Sequence, residues 1–115
     1  MVTVELPFPP SINHYWRRNG ARYFISKEGT EFRNIVIATC YQLNGYFNEN
    51  QRLSLVINVY PPDKRRRDLD NLVKSVQDSL QHAGVYPDDS QIDDLRITRN
   101  PNRAGKIVVQ ISEII

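Results

Sequence analysis

A chain of 115 residues, 40% of them hydrophobic and carrying a net charge of only +2, is sized for one domain, 1–115, that buries roughly two-thirds of its unfolded surface and folds without staples. Its one cysteine, Cys40, excludes an internal disulfide and a thiolate zinc site, both of which need several sulfurs, and fits a reducing compartment. The opening Met1-Val2-Thr3-Val4-Glu5 has no basic segment followed by an apolar one, and no window nears the ~18 apolar residues of a membrane span, so a cytoplasmic protein without a membrane partner is expected.

Val2 to Leu6 alternates as a half-buried strand and is stopped by Pro7, Pro9 and Pro10. Tyr15-Trp16-Arg17 and Arg22-Tyr23-Phe24-Ile25 flank Asn19-Gly20, a strong short-range hairpin signal. Ser26 can cap a helix over about 27–44, whose apolar positions Phe32, Ile35, Val36, Thr39, Cys40 and Leu43 keep the helical spacing up to Asn44-Gly45. Leu53 to Tyr60 reads as a strand bounded by Pro61-Pro62. Leu69, Leu72, Val73, Val76, Leu80 and Ala83 form the stripe of a second helix, closed by Gly84. Ile92 to Thr98 and Lys106 to Ile115 then predict a hairpin turning at Asn100-Pro101-Asn102, with Ile107, Val109 and Ile111 pointing inward. The sum is an α+β domain, a single mixed β-sheet packed by two α-helices.

Between the strand Leu53 to Tyr60 and the second helix lies Arg65-Arg66-Arg67-Asp68-Leu69-Asp70-Asn71-Leu72-Val73-Lys74. All eight aspartates fall between residues 63 and 94, and none of the five glutamates does. Asp is the choice for rigid hard-cation ligation, for turns and for helix N-caps. Residues 61–94 set five bases against eight aspartates, net −3, while the remainder sets ten bases against five glutamates, net +5. An acidic island in a basic field suits a metal-dependent enzyme acting on nucleic acid, although composition by itself is equally that of an ordinary mixed surface.

Asp68 and Asp70 can share a cation only if Asp68 precedes the helix, because in a helix positions two apart diverge, while in extended chain they share a face. Capping would account for Asp68 but gives no reason for Asp70. Lys74, four residues beyond Asp70, is a surface pair by itself; beside a metal its ammonium could contact the scissile phosphate or the leaving oxygen. Asp78, a turn further, reads as a solvated helix residue. Asp88-Asp89 begins far from Asp68, at the other end of a helix ~22 Å long. The six residues 84–89 cover at most ~20 Å, so they just reach if the segment runs back along the helix. Otherwise a partner subunit must supply the third carboxylate, and spacing does not choose between Asp88 and Asp89. Three carboxylates around Mg²⁺ would serve phosphoryl transfer without His or Cys chemistry. No Walker A loop, G-x-S-x-G or H-E-x-x-H is present, and His14 and His82 are too isolated to form a ligand pair.

Lys64 with Arg65, Arg66 and Arg67 is by default a solvated basic loop; with Arg17, Arg18, Arg22, Arg96, Arg99, Arg103 and Lys106 on one face it would bind backbone phosphates without reading sequence. Tyr15 and Trp16 beside Arg17-Arg18 could wedge into or stack on bases, where cross-strand packing is the commoner use of hairpin aromatics.

Three blocks carry a family resemblance: Leu6-Pro7-Phe8-Pro9-Pro10-Ser11-Ile12-Asn13; the segment from Arg65 to Leu72 with Lys74; and Ala83-Gly84-Val85-Tyr86-Pro87-Asp88-Asp89-Ser90-Gln91. With these, nearly the whole chain resembles the RusA-type Holliday junction resolvases, small endodeoxyribonucleases of bacteria and their phages. The last two blocks are specific in order and separation, the proline-rich one supportive, and Tyr86-Pro87 departs from the usual pattern before the acidic pair. The resemblance implies a homodimer that binds four-way junctions in double-stranded DNA and, with Mg²⁺ (Mn²⁺ as a possible substitute), nicks two opposing strands symmetrically in recombination and repair. It implies metal-binding catalytic carboxylates at Asp68, Asp70 and Asp89, a catalytic or phosphate role for Lys74, and DNA contacts by Arg67 with its neighbours. Competing readings are a non-catalytic DNA-binding or architectural protein, in which the aspartates only cap and turn, and a D-x-D transferase acting on a nucleotide.

Overall fold

The computed structural model describes all of residues 1–115. In chain order it contains β1 (Val2–Pro7), α1 (Ile12–Tyr15), β2 (Trp16–Asn19), β3 (Arg22–Ile25), α2 (Lys27–Thr39), β4 (Leu53–Tyr60), α3 (Asp70–His82), β5 (Ile92–Arg99) and β6 (Lys106–Glu113), with 3-10 turns at Tyr41–Leu43 and Asp89–Gln91. A four-stranded sheet runs β1-β6-β4-β5, and β2 and β3 form a second, two-stranded sheet. The expected α+β class stands, with two sheets in place of one and three helices in place of two. The extra helix is the single turn α1, too short to produce a periodic signal.

The hairpin expected from residues 92–115 does not form. β5 pairs parallel with β4, Leu55 opposite Leu95, while β6 pairs antiparallel with both β4 and β1. Hence β4, α3 and β5 make a crossover unit, and the chain then steps past β4 to place β6 on its other side. Charge explains the choice of slot. β6 alternates buried Ile107, Val109 and Ile111 and takes an interior position. β5 carries Asp93, Asp94, Arg96 and Arg99 and leaves Leu95 45% exposed, which only an edge tolerates.

Alternate residues of β4 (Leu53, Leu55, Ile57, Val59) and β6 join Phe32, Val36 and Cys40 of the first long helix and its cap, and Leu72, Val76 and Leu80 of α3, in one buried cluster. Ser26 caps α2 as expected, accepting from the Gly29 N–H at 2.9 Å. The helix ends at Thr39, short of the expected 44: Thr39 Oγ1 bonds back to the Ile35 carbonyl at 2.7 Å, and the chain tightens into the 3-10 turn. Ile35, counted as core by its spacing, is 46% exposed.

Two readings from the sequence fall here. Tyr15 is fully buried and unavailable to bases: its hydroxyl donates to Asp78, lies 3.3 Å from Ser79 Oγ and accepts from Arg33 Nε at 3.2 Å. Asp78 is accordingly not a solvated helix residue, since Arg33 Nη2 also reaches its Oδ2 at 2.6 Å and His82 Nε2 lies 3.8 Å from Oδ1. Tyr15, Arg33 and Asp78 thus lock α1, α2 and α3 together. Gly29 is required at this junction, because a Cβ there would come within 2.5 Å of the Tyr15 carbonyl oxygen. Ser75 Oγ adds a bond from α3 to the Pro10 carbonyl at 2.9 Å.

Candidate active site

Pro61-Pro62 ends β4 and sends an irregular segment toward α3, which begins at Asp70. Asp68 therefore lies outside the helix, as a shared site with Asp70 demands. Its backbone carbonyl accepts from the Asn71 N–H at 3.2 Å, but the helix has no side-chain cap. The Asp68 carboxylate accepts nothing from the first N–H groups of the helix, so capping does not explain it.

The eight aspartates divide by their partners. Asp63 is bound by Arg67, Asp78 by Tyr15 and Arg33, and Asp88 by the Ser90 N–H. Asp89 is bound by Tyr86, Asp93 by Arg52 and Asp94 by Ser54. Asp68 and Asp70, both exposed, take part in no side-chain hydrogen bond or ion pair. Asp70 stands in the first turn of α3, where the helix dipole favours negative charge.

The segment after α3 does run back along the helix. Tyr86, fully buried, places its hydroxyl 2.8 Å from the Gln77 carbonyl and 2.7 Å from Asp89 Oδ1, and Gln81 Oε1 accepts from the Asp89 N–H at 2.8 Å. Asp89 Oδ2 thereby comes to 3.5 Å from Lys74 Nζ of the same chain. Asp88 instead caps its own 3-10 turn in a capping box with Gln91. Burial first, then the Asp89 charge, push the Tyr86 phenol far above its ordinary range, so it stays protonated and able to donate. The Ser90 N–H holds the Asp88 carboxyl below its usual range.

No three His, Cys, Asp or Glu side chains stand close enough together to hold a metal ion. Asp89 is brought to Lys74, one helical turn from Asp70, but Asp68, Asp70 and Asp89 are not gathered into a single coordination sphere. The donor set nonetheless fits a hard dication: carboxylate oxygens only, two of them free of intrachain partners.

The basic run forms the wall of this region. A groove of about 630 Å³ lies between Pro9, Pro10, Ser11 and His14 on one side and Arg65, Arg66, Arg67 and Asp68 on the other. A smaller one, about 280 Å³, continues past the same arginines to Arg99 and Arg103. Arg65 and Arg66 are exposed, whereas Arg67 is held: Nη1 bonds Asp63 Oδ1 at 2.8 Å, and the guanidinium sits 5.1 Å from the centre of the Phe8 ring. Arg67, with the Arg65 N–H, lowers the Asp63 carboxyl to about 2. Arg17 and Arg18 lie apart from these, on the exposed β2–β3 hairpin. The contacts that Tyr86, Gln81, Asp63 and Phe8 make were missed by reading the sequence. Only Asp63 had a signal there, its four-residue spacing from Arg67.

A family model described as "Endodeoxyribonuclease RusA" matches residues 7–112. The "Crossover junction endodeoxyribonuclease rusA" of Enterobacteria phage HK97 is 43% identical over 110 residues, 95% of this chain and 92% of that protein. The similarly named protein of Shigella sonnei (strain Ss046) is 36% identical over 113 residues, 97% of this chain and 94% of its own. That of Escherichia coli (strain K12) is 35% identical over 113 residues, 97% of this chain and 94% of its own.

Proposed function

The chain belongs to the RusA family of endodeoxyribonucleases, as a crossover junction endodeoxyribonuclease that resolves four-way DNA junctions, and we propose that it does so as a Mg²⁺-dependent homodimer using Asp68, Asp70 and Asp89. The observation that carries this reading is the division of the aspartates: the Asp68 and Asp70 carboxylates have no partner in the chain, while six others do. Exposed carboxylates two residues apart repel one another, and that cost is offset when a cation binds both.

Bound Mg²⁺, for which Mn²⁺ can substitute, supplies positive charge that activates water and stabilises an in-line phosphoryl transition state. The chain's own groups do the rest. Tyr86 and Gln81 hold the Asp89 loop against α3. Lys74 keeps an ammonium beside Asp89, within one turn of Asp70, where it can meet the scissile phosphate or the leaving oxygen. Arg65 and Arg66 neutralise flanking phosphates, and Arg67, already tied to Asp63, fixes the wall they stand on. Two equivalent sites related by a two-fold axis match a substrate that must be cut on two opposing strands.

The test is nicking of a synthetic four-way junction in Mg²⁺. We expect paired nicks from the wild-type chain, and a rate lower by about a hundredfold or more in Asp70→Asn with junction binding retained. Junction binding with no nicking in Mg²⁺ or Mn²⁺ would favour the non-catalytic, architectural reading.

A further inference from the structure

We propose that the β2–β3 hairpin is the element that recognises the branch point of the junction, by stacking its exposed aromatic rings on bases unpaired there; this rests on the junction-resolving function above. The hairpin stands outside the main sheet and turns through two residues, Gly20-Ala21, with Asn19 opposite Arg22. Gly20 has φ +65°, as the first central position of a tight hairpin turn of this hand requires. Apart from Trp16 and Ile25, which pack against the core at its base, its side chains face solvent.

What it exposes is chemically uniform. Arg17, Arg18 and Arg22 are its charged residues, with no acidic residue among them. Tyr23 is 65% exposed and Phe24 45%. Cross-strand pairing puts Arg17 beside Phe24 on one face and Arg18 beside Tyr23 on the other. Arg18 is already arranged: its Nε donates to the Gly20 carbonyl at 2.5 Å, and its guanidinium lies 5.6 Å from the Tyr23 ring centre. Trp16, Arg18 and Tyr23 also line a cleft of about 470 Å³ that has Ile12 and Asn13 on its other side. Aromatic rings interleaved with guanidinium groups are the means by which proteins hold unpaired nucleotides, rings to bases and arginines to phosphates. A second copy of this chain is the less suited occupant, because a two-fold contact through this hairpin would set three arginines against three.

The hairpin is also placed to act with the carboxylates. The single turn α1 joins the two regions: Ser11 and His14 line the groove that contains Asp68, while Ile12 and Asn13 line the hairpin cleft. The base is rigid, since the Ser26 N–H bonds the Tyr15 carbonyl at 2.8 Å and Tyr15 is locked to Asp78 of α3. A base captured on the hairpin would therefore fix where the phosphate backbone meets α3.

The experiment measures affinity for a four-way junction and for linear duplex in EDTA, with 2-aminopurine at the branch point as a fluorescent reporter of unstacking. It compares wild type with Tyr23→Ala, Phe24→Ala and Tyr23→Phe, and each variant's mass is measured in solution. We expect the two alanine variants to bind the junction about tenfold more weakly, with duplex affinity unchanged and the fluorescence rise reduced, while Tyr23→Phe behaves as wild type. Unchanged junction affinity in both alanine variants would overturn the proposal, as would equal losses on junction and duplex, or a fall in mass that makes the rings a subunit contact. If the wild type itself shows no preference for junctions, the functional reading fails along with this one.

Discussion

Tyr86 bridges two elements, touching the Gln77 carbonyl of α3 at 2.8 Å and Asp89 at 2.7 Å, and a phenol has only one proton to give. Its donation to the charged acceptor fixes one Asp89 oxygen and leaves the other, near Lys74, open. Tyr86→Phe keeps the ring and the packing but frees that carboxylate. We expect the half-saturating Mg²⁺ concentration for junction cleavage to rise about tenfold, with the rate at saturating metal close to wild type; a purely structural role would lower the melting temperature instead. At this scale the sequence displayed the residue types but not the contacts. Spacing left Asp88 and Asp89 equivalent, and the structure separates them by hydrogen bonding, one capping its own turn and the other facing α3. Tyr86 gave no signal because one of its acceptors is a backbone carbonyl nine residues away, which no residue pattern encodes.

The stripe of α3 and the alternation of β4 and β6 were legible because periodicity reports which face is buried. Strand partners were not legible: alternation says nothing about which neighbour supplies the hydrogen bonds, and β5 was assigned to β6 because they are adjacent in sequence. Asp78 was misread for a related reason, since its neighbours on α3 are polar while its partners come from α1 and α2. Burial pushes its carboxyl upward, but the bonds from Tyr15 and Arg33 and the charges of Arg33 and His82 outweigh this, so its pKa lies below the ordinary 3.8. A depressed folded value contributes stability that is complete above the unfolded value and is lost as pH falls through the folded one. We therefore expect Asp78→Asn to cost about 2 kcal/mol at neutral pH. Its deficit relative to wild type should shrink below pH 3.8, as followed by urea unfolding at stepped pH. A constant deficit down to acid would mean that the charge on Asp78 contributes nothing.

Across the whole molecule, the uneven charge noted in the sequence acquires a layout. Arg65 and Arg66 line the groove that contains Asp68, and Arg17 and Arg18 stand on the hairpin beyond α1. Phosphate contacts by these four arginines would give a log–log salt dependence of junction affinity with a slope of about −4 per chain, measured between low and physiological salt. The same preparation should run at twice the 13.4 kDa of one chain. A flat salt response would remove the basic field from binding, and a monomeric mass would leave paired nicking without its two-fold geometry.

The central claim is that Asp68 and Asp70 are left unpartnered because, with Asp89, they bind a divalent cation. Mn²⁺ titration of the DNA-free protein, followed by the loss of the free-ion paramagnetic resonance signal, tests it most directly. We expect saturable binding by the wild type, affinity at least about tenfold weaker in Asp68→Asn, Asp70→Asn and Asp89→Asn, and wild-type affinity in Asp63→Asn, whose carboxylate is committed to Arg67. Wild-type affinity in any of the first three variants, or no binding by the wild type, would contradict it.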